Sequence, residues 1–211
     1  MDPDGAAVAR RAKITDPVLV ISQTDRDGYR EEDGGRVRVI DTRERGLSNS
    51  RNMAIARAKG DICLLADDDE VFRPDVRGTV EAAYRAHPDA DVIAFCLSGR
   101  RKRYPKRAKR LGRPGTLRVS SCEITFRREA VQGKVSFDPV LGAGTPNGAG
   151  EENKFLWDCL KAGLRVRYCP QVIAALKEAD SSWFSGYTDD YFRRRGAVTR
   201  YIGGPVFAAR A

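Results

Sequence analysis

Three consecutive carboxylates, Asp67, Asp68 and Asp69, are the groups with the most evident chemistry in this chain. Like charges in a row repel, so folding gains nothing by crowding them; the bland reading is a solvated turn, where aspartate is favoured. Their setting argues for more. They follow the apolar run DICLLA (61–66), which reads as a buried strand. Such a strand delivers the cluster to the carboxyl edge of a sheet, where α/β folds bind ligands. Clustered hard oxygens suit Mn²⁺ or Mg²⁺, cations that share their coordination shell with substrate phosphates. A second acidic pair, Glu151 and Glu152, opens the helical pattern EENKFLWDCLKAG behind the glycine-rich loop FDPVLGAGTPNGAG. At about 100° per residue the two cannot both face one cleft. Acid at a helix start is favoured by the dipole in any case, and the same field keeps a base ionised.

The elements that must position these groups alternate between strand and helix, as in an α/β domain. VLVI (18–21) and RVRVID (36–41) read as strands joined by a Gly/Asp-rich connection, 25–35. GLSNSRNMAIARAKG reads as a helix capped by Ser48 and ended by Gly60. Pro74 opens another, with Val76, Val80 and Tyr84 at spacing four, closed by Pro88. DVIAFCL (91–97) is a buried strand, CEITF (122–126) a half-buried one, and LRVRY (164–168) the last strand before Pro170. With no internal repeat and no clear linker, residues 1–211 read as a single domain.

Composition excludes several classes. A chain of 211 residues with 41% hydrophobic and 32% charged residues is a globular protein, not a fibrous or disordered one. No apolar run approaches the roughly 18 residues of a membrane span. The start, MDPDGAAVARRAK, lacks the apolar segment of a signal peptide, so a cytoplasmic protein is expected. Five cysteines without a CxxC pair read as reduced, buried small hydrophobes rather than a disulfide frame or zinc site. One histidine, His87, leaves no material for a histidine triad. The net charge of +9 is concentrated: residues 100–118 hold ten Lys/Arg and no acid, leaving 28 basic against 29 acidic residues elsewhere. That segment has no usable periodicity. It is expected to be an exposed, poorly packed loop insertion, either simply solvated or drawn to phosphates and to the inner face of an anionic membrane. Only Tyr104 interleaves with its cations, so nucleic acid is not expected as a partner.

The stretch GLSNSRNMAIARAKGDICLLADDDEVFRPD resembles the central signature of family 2 glycosyltransferases, inverting enzymes with the GT-A nucleotide-sugar fold. The matching elements are Arg51-Asn52 at the helix, Ala58-Lys59-Gly60-Asp61 at its end, and Asp67 to Asp69 after the strand. SCEITFRREAV, GAGEENKFLWDCLKAG and SSWFSGYTDDYFRRRGA continue the resemblance in order, the last resembling an acceptor-side element of one bacterial subgroup. The resemblance implies a mostly parallel central sheet flanked by helices. It also implies transfer from a nucleotide-sugar, a UDP-sugar in the first instance, to a glycan or lipid-linked acceptor, as in cell-surface or capsular polysaccharide synthesis. By the same resemblance Asp69 would hold the metal with help from Asp67, and Asp68 would be the variable middle position near the donor. Arg51 would face the base or phosphates of the nucleotide, against the bland reading of a surface helix arginine. Asp25 matches the place of the uracil-contacting acid, with a turn residue as the equal alternative. Members carry Glu-Asp where this chain has Glu151-Glu152, so Glu152 is the implied base and Glu151 its second choice. Trp183 and Phe184 either stack on a sugar or close the last helix.

The family opens with an apolar strand ahead of the one matched by VLVI, whereas MDPDGAAVARRAKITD resembles the helix that follows it. An open sheet edge beside VLVI is therefore expected. Two other readings stand beside this one: a sugar-phosphate nucleotidyltransferase, and a non-catalytic binding module built on the basic segment.

Overall fold

The computed structural model describes residues 4–99, 102–176 and 188–208. Trp183, Phe184, Arg100 and Arg101 lie outside the described residues. The first elements are α1 (Gly5–Arg11), β1 (Val18–Gln23), β2 (Gly28–Glu32) and β3 (Val37–Thr42). Next come α2 (Leu47–Arg57), β4 (Ile62–Leu64), β5 (Glu70–Phe72), α3 (Val76–Ala86) and β6 (Val92–Ser98). The remainder are β7 (Lys109–Arg110), α4 (Arg113–Thr116), β8 (Ile124–Arg127), α5 (Arg128–Val131), α6 (Glu151–Lys161), β9 (Val166–Leu176) and α7 (Asp189–Ala208).

The fold is mixed α/β, with two sheets instead of one mostly parallel sheet. The smaller has the order β1-β3-β2; the larger runs β4-β8-β6-β9-β5, with β7 also on β9. Among the described strands, only β1–β3 and β6–β9 pair in parallel. Parallel pairing needs a long crossover. β6 and β9 have one through α4 to α6, whereas a tight turn joins β2 to β3 and makes them antiparallel. β2 itself lies within the connection expected over 25–35. Its sequence GYREE carries the charges typical of a protected edge strand and shows no apolar alternation. As expected beside VLVI, β1 pairs with β3 alone among the described residues, and Val18 to Ile21 are half-buried.

β6 is the spine of the core. Its residues alternate between two layers, as the period-2 geometry of a strand dictates. Val92, Ala94 and Cys96 pack with Phe126, Phe137 and Phe155, while Ile93, Phe95 and Leu97 pack with Phe72, Tyr84 and Ile173. Phe137 stacks on Phe155 with centroids 4.3 Å apart. β9 does not stop at Pro170. A register slip lets Ala94 pair with Tyr168 and Cys96 with Val172, so the proline sits at a bulge, where its missing N–H costs little.

The basic segment is not the loose loop expected of it. Tyr104 packs on the core, Leu111 is buried, β7 pairs with β9, and α4 lies against α6. The reason is a buried acid: Glu123 receives Lys102 Nζ at 2.8 Å on both oxygens and the Tyr104 hydroxyl at 2.7 Å. Arg103, Lys106, Arg107, Lys109, Arg110, Arg113 and Arg118 remain exposed.

Candidate active site

Arg51 organises the site. It lies on α2, whose first turn is pinned to the glycine-rich loop: Ser48 Oγ donates to the Leu141 carbonyl at 2.7 Å and the Leu47 amide to Ala143 at 3.0 Å. Ser48 is thus inside the helix, and the cap is Gly46 at φ 101°, a conformation costly for other residues. Asn52 holds the same loop from the next position. Its side chain donates to the Phe137 carbonyl at 2.8 Å and accepts from the Phe137 amide at 2.7 Å.

From this anchored helix the Arg51 guanidinium reaches two acids. Nη1 donates to Glu151 Oε1 at 2.8 Å and Nη2 to Asp67 Oδ1 at 3.1 Å. Burial works against its charge, but Asp67 and Glu151 outweigh that and raise its pKa. One buried cation therefore ties the end of the strand segment carrying the aspartates to the start of α6. Glu151 is buried with it, its side chain 8% exposed. Glu152, one residue on, is half-buried and lines the same cleft. Burial first, and the neighbouring Glu151 second, raise the Glu152 pKa.

The aspartates diverge. Asp67 is half-buried: Oδ1 takes Arg51, Oδ2 accepts from Cys122 Sγ at 3.2 Å, and its amide donates to Glu70 at 3.3 Å. Asp68 and Asp69 are exposed in the turn between β4 and β5 and carry no ion pair among the described residues. Glu70 is fully buried, and that burial pushes its carboxyl up to about 7. Glu70 and Cys122 went unnoticed in the sequence because one reads as the tail of the acidic run and the other as a strand cysteine.

The cleft holding Arg51, Asp67, Glu151 and Glu152 has a volume of ≈ 880 Å³, and Arg118, Arg194 and Arg195 also line it. Gly150, in the left-handed region at φ 90°, starts α6 at its wall. A Cβ there would meet Val198 of α7 at 2.3 Å, so α7 closes against a point that only glycine allows. A smaller cleft of ≈ 470 Å³ adjoins at Leu47 and Ala143, lined by Ile21, Gln23, Arg45 and Ser50 at the carboxyl end of β1. Asp25 is exposed and reaches this second cleft through Arg45, whose Nη2 lies 2.8 Å from its Oδ1.

Comparison with solved structures shows the same fold in glycosyltransferases. The S. aureus TarS 1–349 structure gives a TM-score of 0.61 at 14% identity, covering 88% of this chain and 54% of that one. Its complex with UDP-GlcNAc gives 0.59 at 16%, covering 78% and 49%. The mannosyltransferase PcManGT from Pyrobaculum calidifontis, in complex with GDP-Man and Mn²⁺, gives 0.57 at 13%, covering 92% and 56%. The chain spans about half the length of these proteins. A search of curated proteins finds no sequence match. The profile of glycosyl transferase family 2 matches residues 20–139, more than half of the chain, across β1, α2, the aspartate run and β8. The chain belongs to glycosyl transferase family 2.

Proposed function

We propose that the chain transfers a sugar from a nucleotide-sugar, a uridine diphosphate sugar in the first instance, to a hydroxyl of a glycan or lipid-linked acceptor. The observation that carries this reading is the convergence of Asp67 and the Glu151–Glu152 pair in one cleft, joined through Arg51. Structures of similar fold with UDP-GlcNAc and with GDP-Man and Mn²⁺ support it.

The donor set fits Mn²⁺ or Mg²⁺: Asp68 and Asp69 offer hard, exposed oxygens next in the chain to Asp67, which lines the cleft, and a diphosphate would complete the shell. Asp69 would hold the cation with Asp67 behind it; when bound, the cation neutralises charge that develops on the leaving diphosphate. Asp68 stays on the donor side. The smaller cleft takes the nucleoside, with Arg45 set by Asp25. Arg51, committed to two carboxylates, fixes the spacing of the acids.

Glu152 accepts the acceptor hydroxyl's proton. The freed oxygen bonds to the anomeric carbon as the carbon–phosphate-oxygen bond breaks, and the nucleoside diphosphate leaves with that electron pair. Attack opposite the leaving group inverts the centre. A raised pKa suits the task, since a base works best when its pKa lies near the working pH. Glu151, bound to Arg51, is the positioning residue of the pair. Arg118, Arg194 and Arg195 give the cleft the sign that attracts an acceptor carrying phosphates. The exposed cations of 103–118 would add about 1 kcal/mol each near an anionic leaflet, drawing the chain to such a surface. Among the described residues no helix is long and apolar enough to span a membrane.

The test is a panel of nucleotide-sugars with Mn²⁺, analysed for products. Release of nucleoside diphosphate supports the reading; release of pyrophosphate would identify a nucleotidyltransferase instead, and no turnover of any donor would overturn both.

A further inference from the structure

Asp67, Glu70 and Cys122 each bring a ligand atom to within 4.8 Å of the others. Glu70 is fully buried, and its Oε1 has no hydrogen-bond partner among the described residues. A buried carboxylate oxygen without a partner is costly, and each such group asks for an explanation. Asp67 gives Oδ1 to Arg51 and turns Oδ2 to Cys122 Sγ, 3.2 Å away. In a tetrahedral zinc site, bonds of about 2.3 Å to sulfur and 2.0–2.2 Å to oxygen place those two donors about 3.5 Å apart. The spacing found here is nearly that already.

We propose that Asp67, Glu70 and Cys122 form a site for a thiophilic divalent cation, Zn²⁺ being the best fit, with the fourth position left to water. Sulfur decides the class. Mg²⁺ and Mn²⁺ favour all-oxygen shells like that offered by Asp68 and Asp69, whereas a thiolate with two carboxylates selects a softer ion. The balance is simple: the Cys122 S–H proton, and any proton held by Glu70, whose burial favours the neutral acid, go to solvent as the metal–ligand bonds form. Three anionic donors then face a charge of two on the cation and the Arg51 charge that Asp67 shares with Glu151. Without the cation, burial and the nearby Asp67 and Glu70 charges keep the thiol protonated. The site stands whether or not the chain transfers sugar. If it does, Zn²⁺ competes for Asp67 and antagonises the reaction.

The experiment is titration of the full chain with Co²⁺, in place of Zn²⁺, in a phosphine reductant. One equivalent should give a thiolate-to-cobalt charge-transfer band in the near ultraviolet, and Zn²⁺ should abolish it. Cys122→Ser should lose the band. Glu70→Gln should keep the thiol but weaken Co²⁺ binding by more than the roughly 10–100-fold expected for an outer-shell partner. Asp69→Asn should leave band and affinity unchanged, which separates this site from the all-oxygen one. Far-ultraviolet circular dichroism checks that each variant is folded; should Cys122→Ser not fold, Glu70→Gln still decides. Absence of the band in the parent, its persistence in Cys122→Ser, or undiminished affinity in Glu70→Gln would overturn the proposal.

Discussion

Arg51→Met is the most informative perturbation of the scaffold. It deletes the guanidinium but keeps an apolar stem against Phe137, over whose ring the guanidinium lies 5.4 Å from the centroid. The Arg51 and Glu151 side chains are 7% and 8% exposed, so the variant leaves a buried carboxylate without its cation. Breaking a buried pair from one side costs about 3–5 kcal/mol. Asp67 is 38% exposed and better solvated, so its lost pair adds only about 0.2–1 kcal/mol. At about 2–4 °C per kcal/mol for a chain of this size, Tm should fall by roughly 10–20 °C. Urea unfolding followed by circular dichroism should show a lower midpoint with an unchanged slope. Adding Glu151→Gln removes the stranded charge, so the double variant should regain at least about 1 kcal/mol over Arg51→Met alone. An Arg51→Met protein within about 1 kcal/mol of the parent, or strict additivity of the two changes, would refute Arg51 as the tie between the acids.

Further outcomes are expected at Glu152, Gly150 and Asn52. Glu152→Gln should lower kcat by about 10²–10⁴-fold with donor affinity unchanged, as for a lost general base; an equal loss of donor affinity, or a dead Glu151→Gln beside an active Glu152→Gln, would reassign the role. Because the fold raises the Glu152 pKa, the stability it contributes is full below the ordinary carboxylate range near about 4.3 and lost as pH rises through the folded value. The rising limb of the pH–rate profile should lie above that range, and Glu152→Gln should flatten both trends. Gly150→Ala should cost about 1–3 kcal/mol in backbone strain, beyond which the Val198 contact adds more, and Val198→Ala should recover the second part only; stability equal to the parent would contradict the close approach of α7. Asn52→Ala should cost about 1–3 kcal/mol by stranding the Phe137 amide and carbonyl, and Asn52→Asp, which keeps the acceptor, should cost less; equal losses would mean that the bond accepted from the Phe137 amide does not matter.

How much was legible follows from the range of each interaction. The strands of β1, β3 and β6 and the helices α3 and α6 were written in local periodicity, and the aspartate run stood where an apolar strand ends. What escaped depends on partners far along the chain. Arg51 and Glu151 are 100 residues apart, and nothing near either shows that one buried cation serves both. Cys122 meets Asp67 across 55 residues, so its strand-like setting concealed a place beside the acids. Glu123 lay inside a segment read as a half-buried strand, yet it draws Lys102 and Tyr104 inward and converts part of a charged run into packed structure. Pro170 misled for the opposite reason: a local rule about proline gave way to a bulge that tertiary pairing supports.

Calorimetry of UDP binding, with and without Mn²⁺, in the parent chain and in Asp69→Asn tests the central claim most directly. Asp69 is exposed, so the substitution should leave the fold intact. The expected result is binding by the parent only when Mn²⁺ is present and none by Asp69→Asn under either condition. Undiminished Mn²⁺-dependent binding by Asp69→Asn, or equal binding by the parent without the metal, would contradict a nucleotide site built on the aspartate run.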